Sequence, residues 1–171
     1  MVEFALMTPI FLAVLGGAID FGLAVRTKFK LASALGAASN YALVNASSAN
    51  STSGAGLASS LATLIASANA SNWASATVNV NNGPTASVTA GSATVTSGGT
   101  AANANSYYCP TGSGSNLTWG SANSTNTTAC TNGSMPGKFV LLTASVAFTP
   151  MILPAGIINS PVTASSVVQV Q

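Results

Sequence analysis

An α+β fold is predicted: a long N-terminal helix with an apolar first half, followed by a small β-rich globular domain that carries a short second helix. Three observations predict it. Residues Phe4 to Val25 form a run of 22 positions with one charge, Asp20. Beyond that run, apolar residues keep a spacing of three or four to about residue 48, and from residue 77 the spacing changes to two. The alternating pattern returns at the end of the chain, over 138–148 and 162–170. The expected organisation is residues 1–50 as a helical membrane or filament-core segment and residues 51–171 as a surface-exposed domain.

The first element is long enough to cross a membrane. At 1.5 Å per residue its apolar run measures about 33 Å as a helix. A secretory signal peptide would carry cations before the run, whereas here Glu3 precedes it and Arg26, Lys28 and Lys30 follow. Phe21, Val25 and Phe29, then Leu31, Leu35, Ala38 and Ala42, continue the spacing, so a single helix is expected from near residue 2 to about residue 48. Pro9 removes a donor and crowds the carbonyl of Ala5, and Gly16 and Gly17 each weaken a helix by roughly 1 kcal/mol relative to alanine. A kink or a short unwound stretch is expected between residues 5 and 17.

Two acids in this apolar half need partners, because an unpaired charge in an apolar medium is costly. Partners on the same helix would lie three or four residues away. Glu3 finds Leu6 and Met7 there, and Asp20 finds Leu23 and Ala24, none of them cationic. The partners are therefore sought on a neighbouring copy, with Arg26, Lys28 and Lys30 as the available cations, or at the chain's own terminal amine for Glu3. Placement in the headgroup layer is the alternative, and it suits Glu3 better than the deeper Asp20.

A Gly-Ser break over 50–56 ends the long helix. A short second helix follows at 56–70, with Leu57, Leu61, Leu64, Ile65 and Ala68 on one face. TVNVN at 77–81, the turn NGP at 82–84 and ASVTA at 86–90 read as a hairpin, with a further strand near 92–97. Residues 98–137 are rich in Gly, Ser, Thr and Asn and hold both cysteines, Cys109 and Cys130. With no histidine to complete a zinc site, a disulfide is favoured, worth about 3 kcal/mol on the chain-entropy model, and it implies an oxidising compartment. The alternative is two unpaired buried thiols. Near the end, Val140, Leu142, Ala144, Val146 and Phe148 share one side of a strand, as do Val162, Ala164, Val168 and Val170. The two stretches are expected to pair antiparallel across the proline-containing connection TPMILPAGI.

Charge scarcity excludes whole classes of function. The chain has 171 residues, with four Lys or Arg, two Asp or Glu and no His. No charge occurs from residue 31 to residue 137. Paired acid and base catalysis, a Ser-His-Asp arrangement and a carboxylate and imidazole metal shell are all out of reach, and no catalytic residue, metal or cofactor is expected. Lys138, the remaining ionisable candidate late in the chain, reads as a turn residue before a strand. A net charge of +2 also argues against nucleic-acid binding. Ser, Thr and Asn supply 58 residues (24, 19 and 15), so the bulk is neutral and hydroxylated, with little charge repulsion to keep copies apart.

Val2 to Leu43 resembles the N-terminal segment of TadE-like and TadG-like proteins, pilin-like proteins of tight-adherence systems within the type IV pilin superfamily. The residues that carry the resemblance are Glu3-Phe4 at the start of the run, Pro9, Ile19-Asp20-Phe21 near its end, and the Ala-rich continuation. A weaker likeness covers the C-terminal strand, Thr-Pro corner and terminal strand. The resemblance implies a basic leader removed by a prepilin peptidase, with Met1 either the processed start or the initiator. It also implies a pilus-assembly machinery as partner, and a domain outside the cytoplasmic membrane despite Arg26, Lys28 and Lys30, which alone would favour the cytoplasm.

The expected function is a structural, non-enzymatic subunit that polymerises through its N-terminal helices into an extracellular adhesive filament, with the cytoplasmic membrane as its reservoir. The alternative is a single-pass minor pseudopilin or assembly factor that does not polymerise alone.

Overall fold

The computed structural model describes residues 2–152 and 160–171, with the side chains of residues 2–6 outside that description. Helix α1 spans Val2–Val44 and a 3-10 turn, Ala46–Ser48, follows it. Helix α2 spans Gly54–Ser67. Five strands follow: β1 Ser75–Val80, β2 Pro84–Val88, β3 Val95–Gly99, β4 Phe139–Val146 and β5 Val162–Gln169. They form one antiparallel sheet in the order β3-β2-β1-β4-β5, so the fold is α+β as expected.

Strict alternation fixes which side of each strand enters the core. Ala76, Val78 and Val80 of β1 oppose Ala144, Leu142 and Val140 of β4, and all six are buried. Across the next ladder Val140 opposes Val168, while Leu142 opposes Ser166. Both helices lie on this face. From α1 come Leu31, Leu35, Ala38 and Ala42, and from α2 come Leu57, Leu61 and Ile65. Many core positions are alanine, which lets helices approach the sheet closely and leaves few large side chains to interdigitate. Where α1 crosses β5, the Ser39 and Ser166 hydroxyls meet at 3.2 Å, so the polar pair there is satisfied.

Two details of the helices differ from the periodic reading. Ala66 takes the buried position expected of Ala68, because α2 ends at Ser67 and Ala68 lies past its last turn. Phe21 and Phe29 are 65% and 72% exposed, so they lie off the core face of α1. The helix joins the packed core only from Leu31, and its second half therefore belongs to the same unit as the sheet.

The first hairpin turns one residue earlier than NGP suggested. Asn81 and Asn82 take φ of 52° and 54°, and the Gly83 amide donates to the Val80 carbonyl at 3.0 Å. Asparagine tolerates this left-handed region better than most residues, which suits it to the two turn positions. The third strand lies at Val95–Gly99, shifted from 92–97 because a turn at Ala90 and Gly91, closed by the Ser92 amide on the Thr89 carbonyl, delays it.

Between β3 and β4 the chain leaves the sheet for a long excursion. Cys109 and Cys130 form a disulfide there, as expected. Tyr108 is buried and meets Trp119 edge-on at 5.7 Å, and Gly114 lies against the Ser165 side chain on β5. Neutral side chains tie this region where charges would serve elsewhere: Asn105 exchanges hydrogen bonds with Ser51, and Asn103 donates to the Asn82 carbonyl. Lys138 caps the excursion, donating to the Ala49 carbonyl at 3.3 Å and standing 5.4 Å from the Tyr107 ring centroid. Reducing the disulfide is expected to lower unfolding stability by up to about 3 kcal/mol, read as a lower thermal midpoint with and without reductant. An unchanged midpoint would mean that the excursion is held by its hydrogen bonds alone.

Candidate membrane and assembly segment

Along α1 the surroundings change while the helix does not. It is long and apolar enough over Met7–Val44 to cross a membrane, and 17% of its most apolar window is buried within the chain. Met7, Ile10, Phe11, Leu12 and Val14 are all more than half exposed. A core helix of a soluble domain would hide such residues; here they have no partner surface within the described fold.

The helix passes without interruption through Pro9, Gly16 and Gly17. Of the two expected disturbances, a kink or a short unwound stretch, the unwound stretch is absent from the described helix. Proline removes one donor, and the turns on either side, built from Leu, Ile, Phe and Ala, keep their own bonds. Gly16 has a different use. It is buried, and a Cβ placed on it would come within 2.5 Å of the Ile152 Cγ2, so its lack of a side chain admits the segment that returns from β4.

One turn on from Gly16, Asp20 is fully buried. Its Oδ1 accepts the Met151 amide and its Oδ2 accepts the Ile152 amide, each at 2.9 Å. The sequence placed the partner of this acid on a neighbouring copy, but the fold supplies partners from within the chain. Local helix spacing could not reveal them, since they lie 131 and 132 positions away. One further turn on, Ala24 is buried beside Pro161, at the other end of the same connection, and beside Val162 and Thr163 at the start of β5. Gly16, Asp20 and Ala24 thus form a stripe of small and polar positions at four-residue spacing. That spacing, within a run of large apolar residues, is the sequence signal that could have found the groove. Residues 153–159 of the connection lie outside the described residues.

The three cations are not gathered at one point. Arg26 and Lys30 share a cleft with Phe29, Ser33 and Asn69, and Lys28 lines another with Phe21, Pro161 and Thr163. Lys28 stands eight residues from Asp20, about 12 Å along the axis. Thr27 turns its hydroxyl back to the Leu23 carbonyl at 2.9 Å, which satisfies a polar group on the way out of the apolar half. Glu3 and its expected pairing lie outside the described side chains.

Replacing Gly16 with valine is expected to push Ile152 off the groove at a cost of about 1–2 kcal/mol. Hydrogen exchange at the Ile152 amide should speed up by about tenfold. Unchanged protection would mean that the contact at Gly16 does not hold this segment.

No curated protein and no solved structure matches the chain. The model of the family described as TadE-like protein matches residues 1–39, the stretch that holds Pro9, Gly16, Asp20 and three of the four cations, Arg26, Lys28 and Lys30. This is a pilus-associated structural family and not an enzyme family. The N-terminal segment of this chain is similar to the TadE-like family over residues 1–39, and with its membrane-length helix it fits a membrane-anchored, pilus-related subunit.

Proposed function

We propose that the chain is a pilin-like structural subunit that polymerises through α1 into an extracellular adhesive filament. The observation that carries the reading is the contrast along a single unbroken helix. Its second half is locked into the sheet, while its first half presents Met7, Ile10, Phe11, Leu12, Val14, Leu15 and Ile19 with exposures of 45–69%. Burying side chains of this kind is worth roughly 1.5–3 kcal/mol each, so transfer of the set into lipid or into a bundle of copies supplies on the order of 10 kcal/mol. A bilayer serves as the reservoir, and neighbouring helices replace lipid on assembly. Glu3 pairs with a cation of a neighbouring copy, drawn from Arg26, Lys28 and Lys30, and so sets register. A prepilin peptidase and a pilus-assembly machinery are the partners before assembly.

One observation favours a second reading, a single-pass minor pseudopilin or assembly factor. Asp20 already has amide partners within its own chain, so one of the two acids does not require a second copy. Electron microscopy and mass spectrometry of filaments sheared from the cell surface separate the two. The filament reading expects this chain as the main component of the sheared material. Retention of the chain in the membrane fraction, with filaments made of other proteins, would replace it with the second reading.

A further inference from the structure

We propose that the Met151–Ile152 segment dips beside α1 into the membrane leaflet nearer the sheet, as a second apolar contact, and that Asp20 makes this possible. The inference rests on the reading that the first half of α1 lies in a bilayer. The cations mark the boundary of that bilayer: Arg26, Lys28 and Lys30 suit a layer of anionic headgroups, and the exposed ring of Phe29 sits at the same level. Gly16 and Asp20, where Met151 and Ile152 touch the helix, lie ten and six residues before Arg26. At 1.5 Å per residue this is about 15 and 9 Å deeper, inside the acyl chains of one leaflet.

Irregular backbone at that depth is excluded unless its polar groups are satisfied within the protein. A carboxylate there is equally costly on its own. Each removes the other's difficulty, because the two carboxylate oxygens take the Met151 and Ile152 amides. The side chains carried by that backbone remain largely exposed, Met151 79% and Ile152 56%. This apolar surface meets the helix at Gly16 and Asp20, within the same half that exposes Met7, Ile10, Phe11 and Leu12. A bilayer is the occupant that matches both the apolar patch and the cations above it.

The test uses the full chain in vesicles of phosphatidylcholine with a minority of phosphatidylglycerol, brominated either near the headgroup end or near the methyl end of the acyl chains. Tryptophan emission is read in wild type, whose Trp73 and Trp119 set the baseline, and in the variants Met151→Trp and Phe11→Trp. Met151→Trp is expected to lose emission beyond the baseline with the shallow bromines, and Phe11→Trp with the deep ones. Adding Asp20→Asn to Met151→Trp is expected to return emission toward the baseline, since the amide nitrogen repels one of the two backbone donors. Quenching of Phe11→Trp with Met151→Trp at the baseline would overturn the inference and leave the membrane helix standing. Absence of quenching in both variants would overturn the membrane reading itself. Protection of Met151→Trp that grows with the protein-to-lipid ratio would assign the patch to a second copy. Quenching unaffected by Asp20→Asn would remove Asp20 from the account.

Discussion

Replacing Asn81 with alanine is expected to destabilise the domain by about 4 kcal/mol, more than removal of the disulfide. Asn81 is fully buried at the end of β1. Its Nδ2 donates to the Ala104 carbonyl at 3.0 Å and to the Ser106 carbonyl at 2.6 Å, and its Oδ1 accepts the Phe139 amide at 3.1 Å. One side chain thus joins the first hairpin, the start of the disulfide excursion and the first residue of β4. Alanine would strand two carbonyls and one amide, and an unsatisfied buried group costs about 1–3 kcal/mol. It would also have to hold the left-handed backbone at φ 52°, which costs an alanine roughly 1 kcal/mol more. Denaturant unfolding of the full chain in detergent reads the effect as a lower midpoint at unchanged slope. A loss under 1 kcal/mol would show that water replaces the side chain and that Asn81 is not the junction described.

The second large effect leaves the domain intact and removes the chain from the membrane. Phe11 is 66% exposed on the apolar half of α1, well before the helix enters the core. Phe11→Asp exchanges a residue near −0.3 kcal/mol for one near +3 on an insertion scale, a difference of about 3–4 kcal/mol. Partition into vesicles should fall by two to three powers of ten, at about 1.4 kcal/mol per tenfold. Thermal unfolding of the sheet should not change, because among the described residues the core cluster takes nothing from α1 before Leu31. Equal partition of variant and wild type would sink the membrane role of α1. A fall in unfolding midpoint would instead place Phe11 against the domain.

These two substitutions mark opposite ends of what could be read in advance. Phe11 and its neighbours needed only composition and length. The strand pairs were legible for a similar reason: alternation at Thr77–Val80 and at Phe139–Val146 has a period of two, which the pleat imposes without reference to any distant residue. Asn81 was not legible, since it is one of 15 asparagines in a chain crowded with turn formers. Its role comes from three backbone groups up to 58 positions away that the sheet topology brings to one point. Phe21 and Phe29 show a different failure. Apolar spacing identifies a helix face, but it does not say whether that face meets the chain's own core or something outside it.

By itself the sequence determined that α1 is long, apolar at its start and followed by an antiparallel sheet, and that six charges leave little room for catalysis. Periodicity and charge content are local properties, fixed by side-chain chemistry before any folding. Tertiary structure alone decided where Asp20 finds its partners and why Gly16 is small. Both depend on a connection more than 130 residues further along the chain returning to the same turn of helix. Such a meeting is set by the order of strands in the sheet, since β4 and β5 must lie beneath α1 for the residues between them to reach it.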